Sequence, residues 1–246
     1  MERAMLSSWP ALSTAYDGDW LIRLSKGVTK RSNSVVCLGS DDKDLENRID
    51  RMRALFEHHG LPPLFRLSPL APNALQEALD ARGWRCFDET IVMTADLTTA
   101  ASGHIAQQDL PFAIEIDVEL NDLWLEGCAR LNDYSRTHKD TLEQLLQGLV
   151  PIAGYGRLTG HDGIAALGIA VVDHDLVGLF EVLTAEGQRR QGLARMLQSR
   201  LLLWGQDQGA TTGWLAVVAG NDPACHLYRS LGFREVYRYH YCCEDG

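Results

Sequence analysis

Polar and apolar residues follow two distinct periods along the second half of the chain. Over 112–118, apolar and acidic residues alternate with a period of two, which predicts a half-buried strand. Over 123–131 and 139–149 the spacing becomes helical, and Leu142, Leu145, Leu146 and Leu149 share one face. Three apolar runs follow at 151–158, 163–172 and 176–184. They are separated by the glycine-bounded stretch 160–163 and by Asp173-His174-Asp175, so they predict a hairpin meander. An amphipathic run to residue 208 predicts a long helix, 213–218 a strand, 223–231 a short helix and 233–241 a last strand. The order β-α-α-β-β-β-α-β-α-β is a mixed α/β sheet protein, without the alternating rhythm of a Rossmann fold.

The first half has its own pattern: a strand at 20–24, a helix at 44–59, a strand at 64–68, a helix at 73–82 and a strand at 89–96. Residues 101–110 are small and polar and read as a linker between a first domain, 1–100, and a second, 111–246. A shift of 149 positions carries Gly60 onto Gly209, Gly83 onto Gly232 and Trp84 onto Phe233. The halves therefore read as a tandem, the first a degenerate copy of the second. An unrelated helix-strand cap is the alternative.

Composition narrows the function. A net charge of −10 over 246 residues disfavours nucleic acid and anionic membrane, because an acidic surface repels polyanions. The first nine residues do not resemble a secretory signal, and no apolar run approaches the roughly 18 residues that cross a bilayer. The six cysteines are scattered without a C-x-x-C pair, so they read as reduced thiols of a cytoplasmic protein. Cys242-Cys243 lacks a histidine at zinc spacing, and Asp173-His174-Asp175 is explained as a polar turn. No metal is expected.

Against this acidic background, 188–194 (Gln-Arg-Arg-Gln-Gly-Leu-Ala) is a basic turn between a strand and a helix. Such a turn aims free backbone N–H groups and a helix N-terminus at an anion. Gly192 permits close approach of the backbone, and Arg189, Arg190 and Arg195 add positive charge. A phosphate-bearing cofactor suits it, although the P-loop ending Gly-Lys-Ser/Thr is absent. Further on, Asp222 before Pro223 predicts a helix start. Ala224, Leu227, Tyr228 and Leu231 share a face of that helix, and Gly232 closes it.

Arg189-x-x-Gly192-x-Ala194 resembles the acyl-CoA-binding motif of the GNAT superfamily of N-acetyltransferases. Asn221-x-x-Ala224-x-x-Leu227-Tyr228-x-x-Leu231-Gly232-Phe233 resembles that superfamily's next motif. Together they cover the chain from about Pro111 to Tyr241. The resemblance implies the GNAT fold and acetyl-CoA as acyl donor to a primary amine on a small molecule or peptide, attacked directly without an acyl-enzyme. Val182, Leu183 and Thr184 would lie along the pantetheine arm, and Arg189, Arg190, Gln191, Gly192, Leu193, Ala194 and Arg195 would hold the pyrophosphate. Asn221 would support the pantetheine side, and Tyr228 would protonate the leaving thiolate. Ala194 stands where a second glycine is common. Glu181 lies where some relatives carry a catalytic glutamate; a water chain is the alternative base. In the first half, Asp41, Asp42 and Lys43 fall on Arg190, Gln191 and Gly192, Pro72 on Asn221 and Leu79 on Tyr228. That half is expected to bind no CoA and to wall the acceptor cleft, with the loop around Lys30, Arg31 and Asn33 as the part placed to reach it. A non-catalytic acyl-CoA-binding module is the alternative reading, and the oligomeric state stays open.

Overall fold

A computed structural model describes residues 1–100 and 112–244, and the expected linker at 101–110 lies outside them. The first half runs α1 (Glu2–Ser8), β1 (Ser13–Asp17), β2 (Trp20–Leu24), a 3-10 turn (Lys30–Ser32), β3 (Val35–Cys37), α2 (Leu45–His58), β4 (Leu64–Leu67), α3 (Asn73–Ala81), β5 (Arg85–Asp96) and α4 (Leu97–Ala100). The second runs β6 (Ala113–Asp117), α5 (Asp122–Asn132), α6 (Arg136–Gln147), β7 (Ile152–Gly160), β8 (Gly163–Asp173) and β9 (Leu176–Thr184). After a 3-10 turn (Glu186–Gln188) come α7 (Leu193–Asp207), β10 (Thr212–Val218), α8 (Asp222–Ser230) and β11 (Arg234–Cys243). Of these, α1, β1, β3 and α4 carry no clear periodicity and escape the sequence pattern. They are short, and pairing or packing with neighbouring elements rather than propensity holds them.

Among the described residues, all the strands join one 11-stranded sheet, ordered β1-β2-β3-β4-β11-β5-β10-β9-β8-β7-β6. The halves interleave at its centre: β5 lies against β10 of the second half, and β11 lies against β4 of the first. β5 and β11 pair antiparallel, with Arg85 opposite Cys243 and Thr94 opposite Arg234. The shift of 149 carries Arg85 onto Arg234 and Thr94 onto Cys243, so these two pairings are one contact seen from both ends, as a pseudo-twofold axis requires. The same shift carries α3 onto 222–230, the bounds of α8. The mixed α/β sheet and the repeat are thus both present, and the repeat closes on itself by strand exchange.

Side chains alternate across the sheet and sort the helices to its two faces. Val92, Tyr239 and Tyr241 join the core beneath α1, α5 and α6. Met93 packs in the core under α7, while Cys242 packs in the core under α2 and α3. α7 seats closely on β9 because Gly205 has no side chain: a Cβ there would come within 2.7 Å of Val177. Helix starts follow capping chemistry. Asn121 accepts from the Trp124 N–H at 2.9 Å, and Ser135 accepts from that of His138 at 3.2 Å, so α6 begins three residues before the leucine periodicity shows it. The cap of α8 is Asn221 rather than Asp222, which becomes its first residue.

α1 is tied to the sheet by a buried ion pair. Glu2 accepts from Arg66 and from the Tyr237 hydroxyl, and the Arg66 guanidinium lies 4.7 Å from the Tyr239 ring centroid. The expectation of six reduced cysteines is corrected: Cys86 and Cys242 are joined in a disulfide. They are 156 residues apart, and only the β5–β11 register places them opposite one another.

Candidate active site

The parallel ladder between β9 and β10 runs from Leu176 opposite Thr212 to Leu179 opposite Leu215 and then stops. Beyond it, 180–184 and 216–218 make no pair with each other, which opens a gap at the carboxyl ends of the two strands. Ligands of α/β sheets sit at such ends, where backbone groups are free of a partner strand.

The basic turn stands at the mouth of this gap. Arg189 is extended, Arg190 adopts φ 62° and Gly192 φ 80°, immediately before the first residue of α7. Alternation of this kind turns successive N–H groups toward one point, the concave arrangement that binds anions. Among the described residues, no protein acceptor takes the N–H groups of Arg190, Gln191, Gly192, Leu193 or Ala194. A Cβ at Gly192 would meet no atom within 4 Å, so the need for glycine there is torsional. Buried Leu193 and half-buried Ala194 seat the turn on the core. Arg189 donates to the Thr184 carbonyl at 3.4 Å, Arg195 to the Ser230 hydroxyl at 3.1 Å and Gln191 to the Gly187 carbonyl at 3.5 Å. Arg190 is exposed.

Val182 packs toward α7 and Leu183 toward the opposite face. On α8, Asn221 spends its side-chain oxygen on the Ala224 N–H at 3.2 Å, so only its remaining groups are open to a ligand. Tyr228 is half-buried and meets Phe233 edge-on at 6.1 Å between ring centroids. Burial, and secondarily Cys225, pushes its phenol up to about 12, so it is protonated throughout the neutral range.

The facing of Glu181, open in the sequence, is decided by a bulge. Leu167 pairs with Leu183 and Ile169 with Phe180, so β9 spends one residue more than β8 across this stretch. Glu181 takes φ 46° there and turns to the face that carries α1, α5 and α6. Its carboxylate lies 3.4 Å from the Tyr134 hydroxyl and 3.7 Å from the Arg31 guanidinium. Arg31 itself stacks over Trp9 and Phe180, at 4.8 and 5.4 Å from their centroids. Tyr134 stacks on His138 at 3.7 Å; burial holds His138 below the usual imidazole range, with Glu181 opposing.

Beside this cluster is a cavity of about 270 Å³ on the same face. Ala216 and Val218 of β10, just past the last paired position, form part of its floor, with Thr90 of β5 and Tyr239 and Tyr241 of β11. Thr29, Lys30 and Arg31 form its wall, and Asp88 sits at the edge, paired with Lys30. The loop singled out around Lys30, Arg31 and Asn33 thus reaches Glu181. Tyr134, His138, Asp88, Thr90, Tyr239 and Tyr241 carry no sequence signal of their own, because they converge from four separate elements. Among the described residues, Cys86, His240 and Cys242 form one cluster of metal-ligating types, all within 4.8 Å, but its two sulfurs are bonded to each other. No described helix is long and apolar enough to cross a membrane.

The geometry has counterparts among known proteins. A sequence family described as probable histone acetyltransferase Rv0428c, C-terminal, matches residues 1–242. The chain is 27% identical over 244 residues to the uncharacterized N-acetyltransferase YobR of Bacillus subtilis, covering 98% of this chain and 96% of that one. A GCN5-related N-acetyltransferase from Kribbella flavida superposes with a TM-score of 0.72 at 15% identity, covering 100% and 93% of the two chains. A tandem GNAT protein from the clavulanic acid biosynthesis pathway superposes at 0.70 with 14% identity, covering 98% and 86%. The chain belongs to the Rv0428c C-terminal acetyltransferase family and is an N-acetyltransferase of the GNAT type.

Proposed function

We propose that the protein transfers the acetyl group of acetyl-CoA to a primary amine in one direct step. The observation that carries this is the set of unpartnered N–H groups at 190–194, at the start of α7 and at the mouth of the gap between β9 and β10. In this reading those donors hold the pyrophosphate, with Arg189, Arg190 and Arg195 adding charge around it. The gap-facing backbone of Val182, Leu183 and Thr184 hydrogen-bonds the pantetheine amides, with Asn221 on the opposite side.

The amine nitrogen bonds to the acetyl carbon, the carbon–sulfur bond breaks, and the products are an amide and free CoA. Tyr228 donates its proton to the departing sulfur, a step worth about 10²–10⁴ in rate. The raised affinity of this phenol for its proton keeps the proton in place to be given, since a tyrosinate could not donate. Glu181, turned to the opposite face by its bulge, receives the proton that the amine gives up. Arg31 and Tyr134 hold its carboxylate in place. The first half carries no second cofactor site and supplies the wall of the acceptor cleft.

Titration calorimetry with acetyl-CoA, followed by a thiol-release assay over a panel of amines, tests the reading. Binding at one site per chain with turnover supports it. Binding without turnover of any amine would favour a regulatory acyl-CoA-binding module, and no binding would end the proposal.

A further inference from the structure

We propose that the cavity beneath the Lys30–Ser32 turn takes an acceptor carrying its own carboxylate, a free amino acid or a close analogue, rather than a polyamine or a peptide terminus. The inference rests on the N-acetyltransfer reading for the reaction, but its recognition chemistry stands on separate residues.

The cavity is built, and its walls are held from behind. Asn33, 6% exposed, accepts from the N–H groups of Ser25 and Gly27 at 2.7 and 3.0 Å and donates to the carbonyls of Val28 and Thr29 at 2.7 and 2.8 Å. Arg23 donates to the Arg31 carbonyl at 2.8 Å. Two lining residues other than glycine have positive φ, Thr29 at 56° and Asp88 at 50°, and so does Glu181 at 46°, beside Arg31 of the wall. Such conformations cost of order 1–3 kcal/mol each and persist where surrounding structure imposes them, which is common at ligand clamps. For β-branched Thr29 the conformation is a true outlier. Asp88 owes its place to a second bulge, since Phe87 pairs with Tyr241 and Thr90 with Tyr239, leaving an extra residue on β5.

Charge then selects the guest. Lys30 and Asp88 form an outer ion pair, with side chains 46% and 35% exposed; Arg31 and Glu181 form an inner one, at 22% and 10%. Lys30 and Arg31 in the wall are balanced by Asp88 at the edge and by Glu181 beside Arg31, so a polycation finds no surplus of negative charge and a phosphate no surplus of positive charge. A zwitterion matches both poles. Its amine lies toward Glu181, near the gap, and its carboxylate toward the Lys30 ammonium. That ammonium is already fixed 5.4 Å from the Phe87 centroid and 5.7 Å from that of Tyr241. A volume of about 270 Å³ suits one amino acid and is small for a peptide.

The test uses the full chain and the common amino acids, each beside its decarboxylated amine and its amide. Affinity is read by calorimetry without acetyl-CoA, and kcat/KM by thiol release. The expected result is at least one amino acid favoured tenfold or more over both of its partners. Lys30→Met should reduce that advantage to within about twofold, and Lys30→Arg should retain it. Equal or better binding of amine or amide in every set overturns the proposal, as does no binding of any amino acid, or an advantage that survives Lys30→Met. Absence of acetyl-CoA binding alone would instead sink the transferase reading, while the calorimetric preference still decides this one.

Discussion

The turns that precede α2 and α7 occupy equivalent places in the two halves and are furnished in opposite ways. Before α7, three arginines surround N–H groups that no atom of the described residues takes. Before α2, acidic side chains take up some of the donors: Asp19 accepts from the Asp41 N–H at 3.3 Å, and the Asp41 carboxylate accepts from that of Lys43 at 3.2 Å. Arg48 is drawn inward to Asp19 at 2.9 Å and stacks over Trp20 at 3.9 Å, so it offers nothing outward. Leu79 is fully buried where the other half has half-buried Tyr228. Both halves keep a parallel strand pair feeding a helix, Val35 with Phe65 and Leu179 with Leu215. The same backbone is therefore suited to an anion only where side chains leave its donors free and supply positive charge.

The strongest challenge to this contrast is Tyr228→Phe, which should lower kcat by about 10²–10⁴ while acetyl-CoA affinity stays near that of the parent. Unchanged turnover would remove the general acid and erase the distinction from Leu79. Next is Arg66→Met, which leaves the buried Glu2 carboxylate without its counter-charge, only the Tyr237 hydroxyl remaining, and should cost about 3–5 kcal/mol in denaturant unfolding. Because β5 and β11 are exchanged, the loss should appear in one cooperative transition. Separate transitions for the two halves would show that the exchange does not couple them.

Giving the second cradle the acids of the first, Arg190→Asp with Gln191→Asp, should weaken acetyl-CoA binding tenfold or more in calorimetry. Charge-assisted hydrogen bonds are worth about 1.5–3 kcal/mol each, and here repulsion replaces attraction. An unchanged Kd would place the diphosphate elsewhere. The smallest effect is on the pH profile. With its phenol pushed up to about 12, Tyr228 stays protonated, so kcat should not fall on raising the pH from 8 to 10. A decline in that window, with the fold intact by circular dichroism, would point to a different acid.

Local patterns carried much of this architecture. The hairpin meander, the helices at α5, α7 and α8, and the glycines at positions 60, 83, 209 and 232 all follow from spacing and turn chemistry; each of these glycines has positive φ. The basic turn stood out because arginines are rare neighbours in an acidic chain. By contrast, Glu181 could not be assigned a face, because strand periodicity presumes an unbroken register and a single extra residue reverses it. Cys86 and Cys242 gave no hint of pairing, since nothing local encodes the partner of a strand.

The sequence by itself determined most of the strands and helices, the signs of a repeat between the halves, and which turn gathers basic residues before a helix, because these depend on residues close together in the chain. Tertiary structure alone decided that the halves exchange their last strands, that one bulge sets Asp88 at the cavity and another sets Glu181 beside Arg31 of its wall, and that Lys30 and Arg31 of the first half face the second half's gap. These depend on which strand lies beside which and in what register, a choice set by the packing of the whole sheet.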